Sequence, residues 1–487
     1  MRTARILIPI LQAIVLLGFA LAIRNGLMPL GVRGEWEWLR LPKNVSTTWL
    51  ENLTGFGGLL VYAALLGFGY RRLMGKTSYR REALWVAGLL VSAVVVQVVL
   101  HGGAPVGYGL HKWGLALSNP GSSGYYSVAK KQIRDPERFF AEYAEWIKKQ
   151  DSLHVGTHPP GLLFAQRHLL DAMESYPGLA RGVLDLMPPS VDMGLNVVGQ
   201  LPRADRATLA FTGCMTMLFC AATVVPLYLL ARTVVGPPVS WAVASIWPLL
   251  PSVILFQPAA DTAFPFLSTS AFALAAYAAR SQPRNAILLA IGSGIVLGVG
   301  MCFTLAYLPV GLIVGIQLAA GWGQTLRMRV ANVLATGVGF LAVTLLSWWV
   351  WKANPFVIWW WNQRNHGRFY VEYPRTYSAW VVENPIELAI GIGLPVALWG
   401  LIALRKPRQI PLVTWATLGV LVFLTLGGKN LSEVARLWIP LMPPLLLAMG
   451  QGMAGVGAGA KSLATTALLV GFETLLLEMT IQVVYPI

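Results

Sequence analysis

Residues 71–100 read RRLMGKTSYRREALWVAGLLVSAVVVQVVL. A short segment rich in Arg and Lys is followed by an uncharged apolar run, Ala83–Leu100. A bilayer crossing takes about 20 predominantly apolar residues, and short basic loops stay on the cytoplasmic side. The stretch therefore predicts a membrane helix and its direction. The chain leaves a cytoplasmic loop at Glu82 and emerges outside near His101.

The same alternation runs through all 487 residues. Thirteen apolar segments can be marked: Ile6–Ile23, Phe56–Tyr70, Ala83–Leu100, Ala207–Ala231, Val239–Phe256, Thr262–Ala279, Ala286–Met301, Leu305–Ala320, Val330–Trp351, Ile386–Leu404, Pro411–Leu426, Leu437–Met449 and Leu463–Val483. Several are short, as half-helices or a protein-lined site would allow. Residues 286–320 read either as a broken hairpin or as one long tilted helix. The first run follows Arg2 and Arg5, and no small-residue cleavage site comes after it, so it is read as an uncleaved span. Charged residues make up 12% of the chain and mean hydropathy is +0.60, against about 25% charged in a soluble domain. The expected fold is an all-α polytopic membrane protein, a single integral domain over 1–487. It belongs in a plasma (inner) membrane, with the N-terminus cytoplasmic and the C-terminus outside.

A net charge of +16 raises the question of nucleic acid. The basic residues flank apolar spans and form no patch with interleaved aromatics, which excludes that class. Cys214, Cys220 and Cys302 all fall in apolar segments, so no disulfide framework is expected.

The inner loops are short and basic and hold one acid, Glu82. The acids and histidines gather in the outer loops, so the chemistry is expected there. The largest outer loop, 101–206, contains RDPERFFAEYAEWIKK, whose Phe139, Phe140, Tyr143 and Ile147 recur at helical spacing and predict a surface helix. A second outer loop, 352–385, is dense in aromatics and arginine.

Five constellations stand out. Glu35 and Glu37 alternate with Trp36 and Trp38, which suits a carboxylate beside a ring that covers a sugar face; an interfacial tryptophan belt fits too. His154 and His158 in HVGTHPPG are spaced like a metal-binding helix face. The prolines disfavour helix there and no Glu intervenes, so a rigid turn at a cavity rim is the better reading, beside a purely structural turn. Asp261 in QPAAD is either functional or a helix cap. Arg364, His366, Arg368, Tyr370 and Arg375 suit a lipid-linked phosphate, or anionic headgroups. Glu433 and Arg436, three apart, read first as an ion pair. Glu473 and Glu478 lie inside the last apolar run, where an acid is costly and often functional.

The early carboxylates, the large outer loop with surface helices and the Pro-Pro turn resemble the GT-C membrane glycosyltransferases. The likeness is to the protein O-mannosyltransferase and aminoarabinose-transferase group, with RgtA/B/C/D-like domains. In that group an Asp-Glu pair and a Tyr precede a Pro-Pro-Leu turn. Here Tyr125, Tyr126 and Ala129 precede His158-Pro159-Pro160-Gly161, and QPAAD stands before a span, over a layout covering roughly 80–320. The Asp-Glu pair is missing from SNPGSSGYY, so the base falls to Glu35 or Glu37, then to Asp135.

The resemblance implies transfer of a hexosyl or pentosyl group from a polyprenyl-phosphate donor to an acceptor hydroxyl of a glycan, lipid or protein. The anomeric centre would invert, and Tyr126, the histidines and the arginines would bind substrate. It permits a divalent metal without requiring one, and no metal ligand is assigned. A transporter or flippase of a lipid-linked saccharide is the other class. An outward-open groove lined by Glu35, His158 and Arg364 would favour transfer, and a midplane cavity transport.

Overall fold

The computed structural model describes residues 2–28, 30–42, 44–150, 152–321 and 323–483, leaving out the side chains of residues 2–6. The charge of Arg2 and Arg5 and the position of the C-terminal end, both used in the topology reading, lie outside the described residues. The chain is 75% helical, with almost no sheet.

Among the described residues, seven helices are long and apolar enough to cross a membrane: Leu7–Arg24, Trp49–Arg72, Tyr79–His101, Arg203–Arg232, Pro283–Met301, Leu326–Trp351 and Ala460–Glu478. An eighth crossing is available if Tyr377–Ile392 and Leu394–Ala403, bent by 106° at their junction, count as one. The chain is a multi-pass membrane protein, but thirteen spanning helices are not found among the described residues. Proline is the main reason. The segment 239–256 breaks at Pro248 and Pro251 into helix, 3₁₀ turn and helix, and the segment 437–449 breaks at Pro440 and Pro443. Proline removes an amide donor and clashes with the preceding turn. Residues 286–320 form two helices, Pro283–Met301 and Tyr307–Ala320. The second has 14 residues and reaches about 21 Å, short of a hydrocarbon core of about 30 Å.

The 106° bend turns on Gly393, whose φ of +90° an L side chain rarely adopts. Across the bend, the buried Glu473 accepts the Leu394 amide at 2.9 Å. That amide opens the second half-helix and has no carbonyl of its own. Elsewhere the buried tryptophans of the bundle bond across helices: Trp241 to the Leu66 carbonyl (3.0 Å), Trp247 to Cys220 (2.9 Å) and Trp399 to the Thr466 hydroxyl (2.9 Å). Such bonds join apolar volume to register.

Segment 101–206 is helical in short pieces. The predicted helix around 139–147 divides at Glu142 into Pro136–Ala141 and Tyr143–Ile147. Their apolar face does not lie open: Phe140, Tyr143 and Ile147 pack with Trp351 and Ile358. Segment 352–385 is not a loop. Asn354 caps Phe356 N at 2.9 Å, Pro355 takes the first position, and a helix runs to Glu372. Two small antiparallel pairings complete the fold. Gly31–Val32 pairs with Trp36–Glu37, and Leu39–Arg40 pairs with Ile481–Gln482, which ties the segment after the first long helix to the end of the last one.

Candidate functional site

The histidine run forms a 3₁₀ turn, Val155–Thr157, and leaves in an extended conformation at His158. Its shape is held from outside. Asn362 donates to the His158 carbonyl (2.9 Å) and Asn365 to those of Gly156 (2.9 Å) and Ile147 (3.0 Å), while the Tyr143 hydroxyl also reaches His158 O (3.1 Å). His158 Nδ1 contacts the His154 carbonyl at 2.7 Å, and His154 Nε2 the Gly121 carbonyl at 3.0 Å. A carbonyl only accepts, so these nitrogens carry the protons, leaving His158 Nε2 and His154 Nδ1 as acceptors. Burial holds His154 down to about 3, with the charges of Arg436 and His158 acting the same way. Burial also lowers His158, although Asp261 pulls it upward. Both rings are neutral at pH 7.

A folded value below the unfolded one, near 6.5, makes the contribution of His154 to stability complete above that pH. It is lost as the pH falls toward the folded value. The melting temperature should therefore drop between pH 7 and pH 5, and His154→Gln should flatten that drop. An unchanged slope in the variant would remove His154 from the account.

The turn forms one wall of a polar cavity of about 510 Å³. Trp36 and Glu37 of the hairpin line it from a second side, His366 and Tyr370 from the helix Pro355–Glu372, and Glu433 and Arg436 from the segment before the helix Pro443–Val456. Glu37 makes no side-chain hydrogen bond or ion pair among the described residues. Arg436 and Glu433 pair at 2.5 Å with side chains 16% and 15% exposed. Even so, Arg436 Nε is buried with no acceptor among the described residues, and so is Trp36 Nε1. Two buried donors without partners among the described residues thus belong to residues that line the cavity from different sides, a costly arrangement.

Ser432 and Glu433 both hold positive φ, +92° and +55°. Such positions cost roughly 1–3 kcal/mol each and persist where the surroundings enforce them. Here Arg375 Nε bonds Ser432 Oγ (3.2 Å), Glu387 accepts the Val434 amide (3.2 Å), and His366 and Tyr370 fasten the Lys429 carbonyl (3.0 and 2.9 Å).

The other candidates sit elsewhere. Glu35 is a clamp: its carboxylate accepts the Thr376 amide (3.0 Å), the Thr376 hydroxyl (2.5 Å) and Trp380 Nε1 (2.7 Å). Partial burial works against its ionisation, but these bonds and Arg375 prevail and its pKa falls below the ordinary value. Asp135 caps its helix by accepting the Arg138 amide at 3.1 Å. Arg364 lies over the Trp361 ring at 5.3 Å, and Arg368 pairs with Glu372 at 2.9 Å. Arg364, Arg368 and Arg375 do not line the cavity. The arginine that does is Arg436.

A second opening, about 690 Å³ and mostly apolar, runs beside the first. Phe211, Met215 and Phe219 of the long helix Arg203–Arg232 form one side, Leu162 and Leu169 another, and Phe264 and Phe303 a third. Tyr125 and Tyr126 line it. Tyr126 donates to Asp205 at 2.5 Å and so faces away from the histidines. Tyr125, which sequence reasoning left out of the site, stands edge-on to His158 with ring centres 6.1 Å apart. The groove and the polar cavity therefore meet at Tyr125 and His158. Asp261 is at this junction, its charge reaching Tyr125, His158 and Arg436. It makes no hydrogen bond or ion pair among the described residues, and it caps no helix. A buried group holds the turn that carries it: His101 Nε2 meets Gln257 Oε1 (3.0 Å), Gln257 reaches Gln97, and Lys112 bonds the Leu255 carbonyl (2.8 Å) near Glu478 (3.9 Å).

No family model and no curated protein matches the chain. Seven chains of solved structures do. One is the oligosaccharyltransferase of Archaeoglobus fulgidus, crystallised with zinc and sulfate, at 14% identity and a TM-score of 0.42. The match covers 79% of this chain and 53% of that one, so it spans about half of the solved protein. Among the described residues, no three His, Cys, Asp or Glu side chains converge as metal ligands.

Proposed function

We propose that the chain is a membrane glycosyltransferase of the GT-C kind, moving a sugar from a polyprenyl-phosphate donor to an acceptor hydroxyl at the extracytoplasmic face. One observation carries the reading: an apolar groove and a polar cavity share a boundary at Tyr125 and His158. A lipid-linked sugar has this division, an isoprenoid chain joined to a phosphate and a sugar. In this reading the chain lies in the groove and Arg436 holds the phosphate. Glu37 takes the proton from the acceptor hydroxyl. The hydroxyl oxygen bonds to the anomeric carbon as the carbon–oxygen bond to phosphate breaks. The electron pair leaves with the phosphate, whose charge Arg436 stabilises. A single displacement inverts the centre. The N-terminus is then cytoplasmic and the cavity faces outward. The acceptor is a glycan, a lipid or a protein.

Of the three residues expected to line a transferase groove, His158 lines the cavity, while Glu35 and Arg364 do not. The carrier reading draws on the buried Glu473, one oxygen of which accepts the Leu394 amide.

The test is the protein reconstituted in liposomes with labelled polyprenyl-phosphate sugars of long and short prenyl chains. Transfer of label to an acceptor with release of polyprenyl phosphate is expected, with a lower KM for the long chain. Passage of the intact saccharide across the bilayer, with the sugar–phosphate bond unbroken, would establish the carrier instead.

A further inference from the structure

A smaller cavity, about 240 Å³, lies at the other end of the bundle. Arg405, Lys406 and Gln409 line it from the segment after Leu394–Ala403, and Gln451 and Gly455 from the helix Pro443–Val456. That helix begins seven residues after Arg436 and, at 14 residues, runs about 20 Å, which separates this cavity from the polar one.

None of the side chains of Arg405, Lys406, Gln409 and Gln451 has a hydrogen bond or ion pair among the described residues, and no carboxylate lines the space. Three other basic side chains on the same loop set are engaged within the protein. Arg232 pairs with Glu82 at 2.9 Å, Arg280 bonds the Ala276 carbonyl at 3.0 Å and Arg329 the Gln324 carbonyl at 3.1 Å. A side chain added at Gly455 would meet nothing within 4 Å, so the bare backbone there leaves open space. Ile402 continues the wall, and the adjoining Leu401 and Leu404 are exposed, facing the apolar surroundings of a membrane helix.

We infer that this cavity binds a phosphate-bearing ligand, taken from the headgroup of an anionic lipid. Two cations without counter-charges, two amides able to donate, and an apolar margin match a phosphodiester whose acyl chains remain in the bilayer. The volume falls below that of pockets for drug-sized ligands, so it admits a headgroup and not a whole lipid.

The experiment is equilibrium binding of a fluorescent phosphatidylglycerol to the full-length protein in zwitterionic detergent. Arg405→Gln with Lys406→Gln should weaken binding by roughly thirty-fold, the product of two surface charge contacts. Arg80→Gln with Arg81→Gln, an exposed basic pair outside the cavity, should change it less than threefold. Equal losses in the two pairs, or equal binding of labelled phosphatidylcholine, would overturn the site. Competition by millimolar inorganic phosphate would keep the site and assign it to free phosphate; absence of competition supports the lipid. The four positions are exposed, and unchanged melting temperatures will show that folding is intact.

Discussion

Replacing Arg436 by Gln should lower kcat/KM for a polyprenyl-phosphate sugar by a factor of 10² to 10³, the scale seen when a preorganised donor to a developing anion is lost. The expectation follows from placement. Arg436 lines the polar cavity, and among the described residues its Nε has no acceptor of its own. A complication is built in, because Glu433 would be left largely buried without its partner. Removing one member of a buried pair costs about 3–5 kcal/mol, enough to unfold a marginal protein. The variant Arg436→Gln with Glu433→Gln separates the effects: it should regain melting temperature and remain inactive. Arg436→Lys keeps the charge without the planar fork, and should fall between wild type and Gln. Recovery of turnover in the double variant would show that Arg436 acts only by neutralising Glu433.

Glu37→Gln should reduce turnover by a factor of about 10² to 10⁴ while donor affinity stays within a few-fold, as expected for loss of a general base. Glu37 lines the cavity and has no partner to hold its carboxylate. Asp135→Asn is the useful contrast. Its carboxylate caps a helix, a task the Asn amide oxygen performs about as well, so both stability and turnover should stay close to wild type. Glu35→Gln should act on stability, because Thr376 and Trp380 lose a charged acceptor. If Glu37→Gln keeps wild-type turnover and Asp261→Asn loses it, the base is at the groove junction and not on the hairpin.

These contrasts mark how far the sequence could be read. Charge alternation located the seven long spans, because basic loops and apolar runs leave a signal in composition alone. Apolar runs interrupted by proline have much the same mean hydropathy as unbroken ones, so a count of apolar runs exceeded the helices of spanning length among the described residues. In the site, the residue types were legible and their directions were not. Glu35 and Glu37 differ by two positions, yet the first sits at the hairpin turn and reaches Thr376 while the second is on a strand. Tyr125 and Tyr126 are neighbours on one helix, which turns adjacent side chains about 100° apart, toward His158 and Asp205 respectively. Arg364 and Arg368 were read in a loop and lie on a helix whose geometry carries them to Trp361 and Glu372. The pairing of Arg436 with Glu433 was visible at three-residue spacing. That the same arginine keeps a buried nitrogen without an acceptor among the described residues is information only the three-dimensional arrangement contains.

Asn362 and Asn365 occupy one face of a single helix and grip the carbonyls of Ile147, Gly156 and His158. The helix works as a splint: a fragment more than 190 residues away in the chain cannot shift without dragging both imidazoles along. The same splint reaches the opposite wall, where its Tyr370 holds Leu431 and the Lys429 carbonyl, while residues 36–40 are fixed by their two strand pairings.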